Sequence, residues 1–463
     1  MAENMENERV ELLRGDPKKA INKLALPMIA SMLLMCANNV IDSIWVAGLG
    51  ADPLAALGFI TPLFLILVGI GNGLGAGANS LIARMIGEKK DHEASNAGIH
   101  SIILGLIATV ILTVLFILLL ETLVIVMGGK DVLSYAVDYG NIIMVGIFTL
   151  TLPAIFAGIC RSEGDVKRAT IPLALTAILN MIFDPIFIYT FDMGIAGAAL
   201  ATVLAGVGGL ACFLYWFFIK KDTFVRIEKQ FYKHDLGMYK EILVVGIPAS
   251  IEQLIMSATA IILNAMLSAV AGTAAVAVYT AGWRLVQIGI MPAIGIGIAA
   301  LTVAGVAYGE RDYEKLNTTI GYGVKIGLIT TIITGIFFFL FSDYLAIMFS
   351  YSSSSSSLAP LISEFLKIMC LYIIPVPLGV VAGNVFQAFG KGTASLILTA
   401  NRSLILDVIF CAIAAFILSA GAVGIYWGIV IGDIVGSIMA YLAIVWYVKR
   451  LDKNGFFKNP SQV

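Results

Sequence analysis

Twelve long apolar stretches, separated by short polar segments, leave this 463-residue chain very little choice of fold. They fall at roughly 20–48, 53–83, 94–121, 133–160, 168–190 and 194–219, and then at roughly 241–268, 274–308, 316–342, 358–389, 393–418 and 421–448. Each can cross a bilayer, for which a helix needs about 20 apolar residues. Helices are expected because a backbone in lipid must satisfy its own hydrogen bonds. A closed barrel would show short alternating segments instead. Composition agrees, since only 13% of residues are charged, about half the share of a soluble domain. The expected fold class is an all-α membrane protein of twelve transmembrane helices.

The basic residues test that topology independently. With a cytoplasmic N-terminus, the inside segments collect 24 Lys and Arg and the outside loops only Lys130, as the positive-inside rule requires. Both termini are therefore expected in the cytoplasm. The charged segment 220–240 divides an N-lobe (1–219) from a C-lobe (241–463) and reads as a cytoplasmic linker, with an interfacial amphipathic helix as one form it could take. The serine run Ser352–Ser357 reads as a flexible outside connector. The five cysteines all lie in apolar stretches and read as small hydrophobes, not as a disulfide framework. Residues 1–19 are charged, and the apolar stretch after them is too long for the core of a cleavable signal.

The halves are related. Pro27 matches Pro248, Gly50 matches Gly272, Gly73 and Gly75 match Gly295 and Gly297, and Gly87-Glu88 matches Gly309-Glu310, at an offset of about 222. Gly194 and Gly197 match Gly421 and Gly424 at an offset of about 227. Six helices per half make the repeat parallel, a recurring plan in transporters. Ancestral duplication without transport would leave the same pattern. Gly69, Gly73 and Gly77 share one helix face, as do Gly71 and Gly75, which suits close helix packing in lipid.

An ionisable side chain at mid-bilayer is costly and marks a functional candidate. The N-half carries Asp42 in helix 1, Asp138 in helix 4 and Asp184 in helix 5, with Asn180 one turn before Asp184 on the same face and Pro185 directly after it. Tyr139 and Thr202 could add further oxygens. Such an all-oxygen set suits a hard monovalent cation or a shared proton; a buried polar network that only fixes helix packing is the plainer reading. In the C-half, Glu252, Asn264, Arg284, Lys325, Glu364, Lys367, Arg402, Asp407 and Asp433 nearly balance acids against bases, as salt bridges would. Glu364 and Lys367 stand three apart, and Glu252, Arg284 and Asp407 are the candidates there for substrate or polar contacts. There is no Walker loop to suggest ATP drive, no histidine pair spaced for a metal, and no nucleophile–base arrangement.

The stretches NVIDSIWVAGLGADPLAAL (39–57), RSEGDVKR (161–168) and NMIFDPIFIY (180–189), with GIPASIEQLIMSA opening the second half, closely resemble the multidrug and toxic compound extrusion (MATE) family, in particular its DinF-like prokaryotic and archaeal branch. The resemblance spans roughly residues 10–450. It implies two six-helix lobes that alternate access, antiport of a cationic or amphipathic compound against protons or sodium ions, and no other cofactor. It implies a multi-pass protein of the cell membrane, acting as a monomer on small-molecule substrates and not on nucleic acid. It places the N-lobe proton or sodium site on Asp42, Asn180, Asp184 and Thr202, with Tyr139 beside them. One departure is visible: the helix 7 glutamate of the NorM branch falls here on Met256, and Glu252 lies a turn earlier. A lipid or lipid-linked saccharide flippase of the same superfamily is the alternative, and it would favour a strongly cationic cavity, whereas the N-half interior has no Lys or Arg. A membrane enzyme would need a clustered nucleophile or metal motif, and neither is found.

Overall fold

The structure, a computed structural model, describes residues 2–349 and 358–457. The serine run Ser352–Ser357 lies outside the described residues. The elements in order are α1 (Ala2–Arg14), α2 (Pro17–Ala47), α3 (Ala51–Gly87), α4 (Asp91–Val126), α5 (Leu133–Val145), α6 (Phe148–Ser162), α7 (Val166–Pro185) and α8 (Gly194–Leu214). After the linker come α9 (Leu236–Gly309), α10 (Tyr313–Phe349), α11 (Ala359–Ile373), α12 (Val376–Ala388), α13 (Gly392–Ala400), α14 (Asp407–Ala412) and α15 (Gly421–Lys453). Among the described residues there is no strand.

Among the described residues nine helical stretches are long and apolar enough to cross a membrane, and α5 with α6 and α11 with α12 each pass the same test as a pair bent by 41° and 46°. The 74-residue α9 is two helices joined at Gly272 (φ 75°, ψ −173°), which brings the crossings to the expected twelve.

The repeat is written in the backbone. Gly50 (φ 107°, ψ −176°), between α2 and α3, adopts the conformation of its counterpart Gly272. That region of the backbone map is open essentially to glycine alone, so both halves turn their first helix into the second by the same device. Four further pairs of left-handed residues match across the halves: Lys89 with Arg311, Gly164 with Gly390, Asp192 with Ser419, and Gly194 with Gly421. The π-helical turns Ile186–Thr190 and Ile413–Ile417 stand 227 apart as well.

The chain forms two compact units, one of residues 1–15 and 30–250, the other of 16–29 and 251–463. Close approach is set by small residues, since lipid offers helices no hydrophobic drive to associate. A Cβ added at Gly75 would lie 2.4 Å from the Ala154 carbonyl oxygen of α6, and one at Gly77 would lie 2.4 Å from the Ile242 oxygen of α9. In the second unit Gly428, Gly432 and Gly436 of α15 let the backbone of Cys411, Asp407 and Arg402 pass at similarly short range. This packing sets where the charged side chains of each unit stand.

The linker departs from a helix. Between residues 221 and 235 only Lys229–Phe231 forms a single 3-10 turn. Side chains of the first unit take the backbone groups a helix would use. Val225 N–H donates to Glu163 Oε2 (2.9 Å), Arg226 N–H to Ser95 Oγ (3.2 Å), Lys233 N–H to Asn96 Oδ1 (3.0 Å) and Asp235 N–H to His100 Nε2 (3.1 Å).

Candidate functional site

The N-lobe carboxylates arise from two i,i+4 pairs on facing helices. On α7, Asn180 and Asp184 share one face and both are buried. Pro185 then withdraws a backbone donor, and the helix opens into the π turn Ile186–Thr190. On α2, Asn38 and Asp42 repeat the same spacing. Asn38 Nδ2 donates to Asn180 Oδ1 (3.0 Å), and Asn180 Nδ2 donates to Asp184 Oδ1 (2.9 Å). The Asp42 carboxyl reaches that of Asp184.

This chain of donors is one short. Asp184 Oδ2 and Asn38 Oδ1 are both buried without a hydrogen-bond partner. A buried acceptor left so costs about 1–3 kcal/mol, and a second carboxyl beside it offers only further acceptors. A proton or a small cation held between the two acids supplies what is missing. Arg9, Arg14, Arg84, Lys90, Arg168, Lys220 and Lys221 of the first unit make ion pairs with acids other than Asp42 and Asp184.

Tyr139 of α5 is buried within electrostatic range of both carboxyls. Thr202 of α8 is half-buried, and its hydroxyl donates to the Ala198 carbonyl (3.0 Å) of its own helix, not to the acids. Asp138 is exposed and separate. Asn38 is the member that sequence reasoning passed over, although a polar amide one turn before Asp42 was its signal. Among the described residues no group of three His, Cys, Asp or Glu could hold a metal ion. Any ion here would rest on two carboxylates and amide oxygens, an oxygen set that fits sodium and not a transition metal.

The C-lobe candidates divide. Arg284 is exposed and makes no ion pair with a described residue. Asp407 is buried close to a pair that spacing did not reveal, Arg402 Nη1 with Asp433 Oδ1 at 3.6 Å, while Ser437 Oγ donates to Asp433 Oδ2 (3.3 Å). Asp407 Oδ1 has no partner. Gln387 Nε2 lies 3.4 Å from each Glu252 oxygen and donates to Ser395 Oγ (3.2 Å). The pairing read from Glu364 and Lys367 is not the ion pair that Lys367 makes: its Nζ goes to Asp343 Oδ1 of α10 (3.1 Å), across to another helix.

The RSEGDVKR loop is a hub of ion pairs. Asp165 caps α7 by accepting the Arg168 N–H (3.2 Å) and pairs with Arg9 of α1. Arg168 donates to the Asp222 carboxylate (2.5 Å) and carbonyl (2.6 Å), and Lys220 reaches the same carboxylate (2.8 Å). Burial alone would raise Asp222, but the Lys220 hydrogen bond and the Arg168 charge outweigh it and hold the carboxyl below the ordinary value.

Comparisons with known proteins meet this geometry from outside. The MatE family model matches residues 27–186 and again 248–413, the two copies of the repeat. The multidrug export protein MepA of Staphylococcus aureus is 25% identical over 454 residues, covering 96% of this chain and 98% of its own. A multidrug resistance MATE family transporter of the MOP superfamily, solved in an outward-facing conformation, is 38% identical with a TM-score of 0.94, covering 96% of this chain and 98% of its own. A MOP superfamily transporter from Pyrococcus furiosus, described as having a binding pocket of reverse polarity that suggests a different function, is 37% identical with a TM-score of 0.93 over the same shares.

Proposed function

The chain belongs to the MATE family, multi-pass transporters of the cell membrane and not enzymes, and from that premise we propose that it exports cationic or amphipathic organic compounds in exchange for protons or sodium ions. The observation that carries the reading is the Asn38–Asn180–Asp184 chain ending on two adjoining carboxyls with a buried oxygen unsatisfied. A site so built holds a proton or a monovalent cation more readily than it stands empty. Neutralising Asp42 and Asp184 changes the electrostatics of the helices α2 and α7 that bear them. An ion can drive a conformational exchange only by binding one state better than the other. Here that difference would come from how closely α2 and α7 bring their acids together.

The relatives support export: one is a multidrug export protein and one a multidrug resistance transporter. The flippase alternative draws no support from those two, nor from an N-lobe site without a basic residue. Thr202 and Tyr139 enter as second contributors, Tyr139 from its burial beside the acids and Thr202 only on rotating away from Ala198.

The test is efflux of a fluorescent organic cation from vesicles reconstituted with purified protein, under separately imposed proton and sodium gradients. Export that follows one or both gradients supports exchange. Export indifferent to both would remove the coupling assigned to this site.

A further inference from the structure

The two halves differ at one repeat-related corner on the cytoplasmic side. In the first half, Asp165 caps α7, Arg168 stacks over Trp216 with its guanidinium carbon 5.5 Å from the ring centroid, and Asp222 closes the corner at 2.5 Å. The positive-φ residues Gly164 and Gly390 fix the local offset at 226, which carries Asp165 onto Lys391, each the residue that opens its helix. The same offset carries Arg168 onto Ala394. Gly194 and Gly421 fix an offset of 227 for the final helices, which carries Trp216 onto Ala443 and Ile219 onto Trp446.

Two large side chains of one half are thus alanines in the other. At that place the second unit has an open cavity of about 280 Å³ lined by Phe386, Lys391, Ala394, Ala443, Trp446 and Tyr447, among others. The carboxylate that neutralises the corner in the first half has become a lysine, and no acidic residue lines the cavity. Arg450, one turn beyond Trp446, holds its guanidinium carbon 5.2 Å from the Trp446 ring centroid. Neither Lys391 nor Arg450 pairs with an acid among the described residues.

The depth is that of the inner membrane boundary. Trp446 stands 25 residues into α15, counted from Gly421 at its outer end. At about 1.5 Å per residue that is roughly 37 Å along the helix, just past a hydrocarbon core of about 30 Å. Trp and Tyr settle at that level, and basic pockets between helices on the cytoplasmic side bind anionic headgroups.

We infer that this corner binds a single anionic phospholipid of the cytoplasmic leaflet, its phosphate between Lys391 and Arg450 and an acyl chain in the cavity left by Ala394 and Ala443. The lipid phosphate stands where Asp165 and Asp222 stand in the first half, and the chain takes the room filled there by Trp216 and the stem of Arg168. A cationic export substrate fits poorly, because Lys391 lines the groove and the Arg450 guanidinium lies over the Trp446 ring that also lines it. The inference is therefore independent of the export reading.

The experiment is native mass spectrometry of the full-length protein released from micelles doped with phosphatidylglycerol or phosphatidylcholine, repeated for K391Q, R450Q and A443W. The expected result is one phosphatidylglycerol retained in preference to phosphatidylcholine. Each charge-removing variant should weaken retention about fivefold, the ~1 kcal/mol that one basic residue contributes near an anionic surface. A443W, which restores the bulk of the first half, should expel the lipid. Equal retention of the two lipids, undiminished retention in K391Q and R450Q, or displacement by inorganic phosphate alone would overturn the assignment. K391Q and R450Q decide the matter if A443W does not fold.

Discussion

Replacing Asp184 by asparagine separates a functional site from a packing network, because the two readings give opposite signs for stability. Asp184 Oδ1 accepts from Asn180 Nδ2 at 2.9 Å, and Oδ2 is buried with no donor. Asparagine keeps the shape: its carbonyl oxygen can hold the Asn180 bond, and its amide group then places a donor where the unsatisfied oxygen was, next to Asp42. The variant should gain part of the about 1–3 kcal/mol that an unsatisfied buried acceptor costs, and so melt no lower than the parent in ion-free buffer. It loses one of two carboxylates from the ion site, however. A hydrogen bond or contact to a charged group contributes about 1.5–3 kcal/mol, so sodium or proton occupancy should weaken about ten- to a hundredfold, and gradient-driven efflux should fall to background. The assay pairs thermal unfolding in detergent with efflux from vesicles. Near-parental efflux would refute the coupling role, and a melting temperature lowered in the absence of ions would show that the carboxylate was already satisfied by its surroundings.

Three further outcomes are expected. Sodium binding to purified protein should weaken as pH falls from about 8 to about 6, by at most about tenfold per pH unit if one proton is exchanged, and Asn180→Leu should weaken sodium binding more than proton binding; sodium affinity flat across that range would move coupling elsewhere, with Asp407 next to be tested. Arg168→Ala removes hydrogen bonds to Asp222 while Lys220 and Arg9 still serve the remaining acids, so destabilisation of about 1.5–3 kcal/mol should show as faster proteolysis of the 220–235 segment. Because the folded state holds Asp222 below its ordinary value, the ion pairs it makes stabilise at neutral pH and are lost as acid protonates the carboxyl, so parental cleavage should rise toward the variant's at low pH; a parent and variant cleaved alike at neutral pH would discount the hub. Single cysteines at Asp52 and Asp192 should react with an impermeant thiol reagent from outside, in a background lacking the native cysteines, whereas those at Lys89, Lys229 and Lys391 should not; outside labelling of Lys229 would overturn the topology.

What was legible in the sequence was whatever carries its cost in one dimension. An apolar stretch must cross lipid, a lysine near it must stay inside, and a carboxylate within it must have a reason, so the twelve crossings and the acids Asp42 and Asp184 could be read residue by residue. The glycine matches that gave the repeat were legible for the same reason, and Gly50 and Gly272 proved to share a conformation that other residues avoid. What was not legible depends on which helix lies beside which. Arg402 finds Asp433, 31 residues on, and Lys367 finds Asp343 on α10 in place of the nearer Glu364. The linker is extended because Glu163, Ser95, Asn96 and His100, each unremarkable where it stands in the chain, converge on its backbone. Propensity speaks only to what a segment does alone. The same limit shaped the reading of the site: the acids were visible because each is expensive by itself, while Asn38, which costs little alone, matters only through the Asn180 oxygen that another helix brings to 3.0 Å. The repeat offers a way past it. One half satisfies a corner with its own side chains, and the other carries alanines and a lysine without an acidic partner at the matching positions. The difference between the copies points to a group bound from outside the chain, and in a duplicated protein that difference is carried by the amino-acid sequence itself.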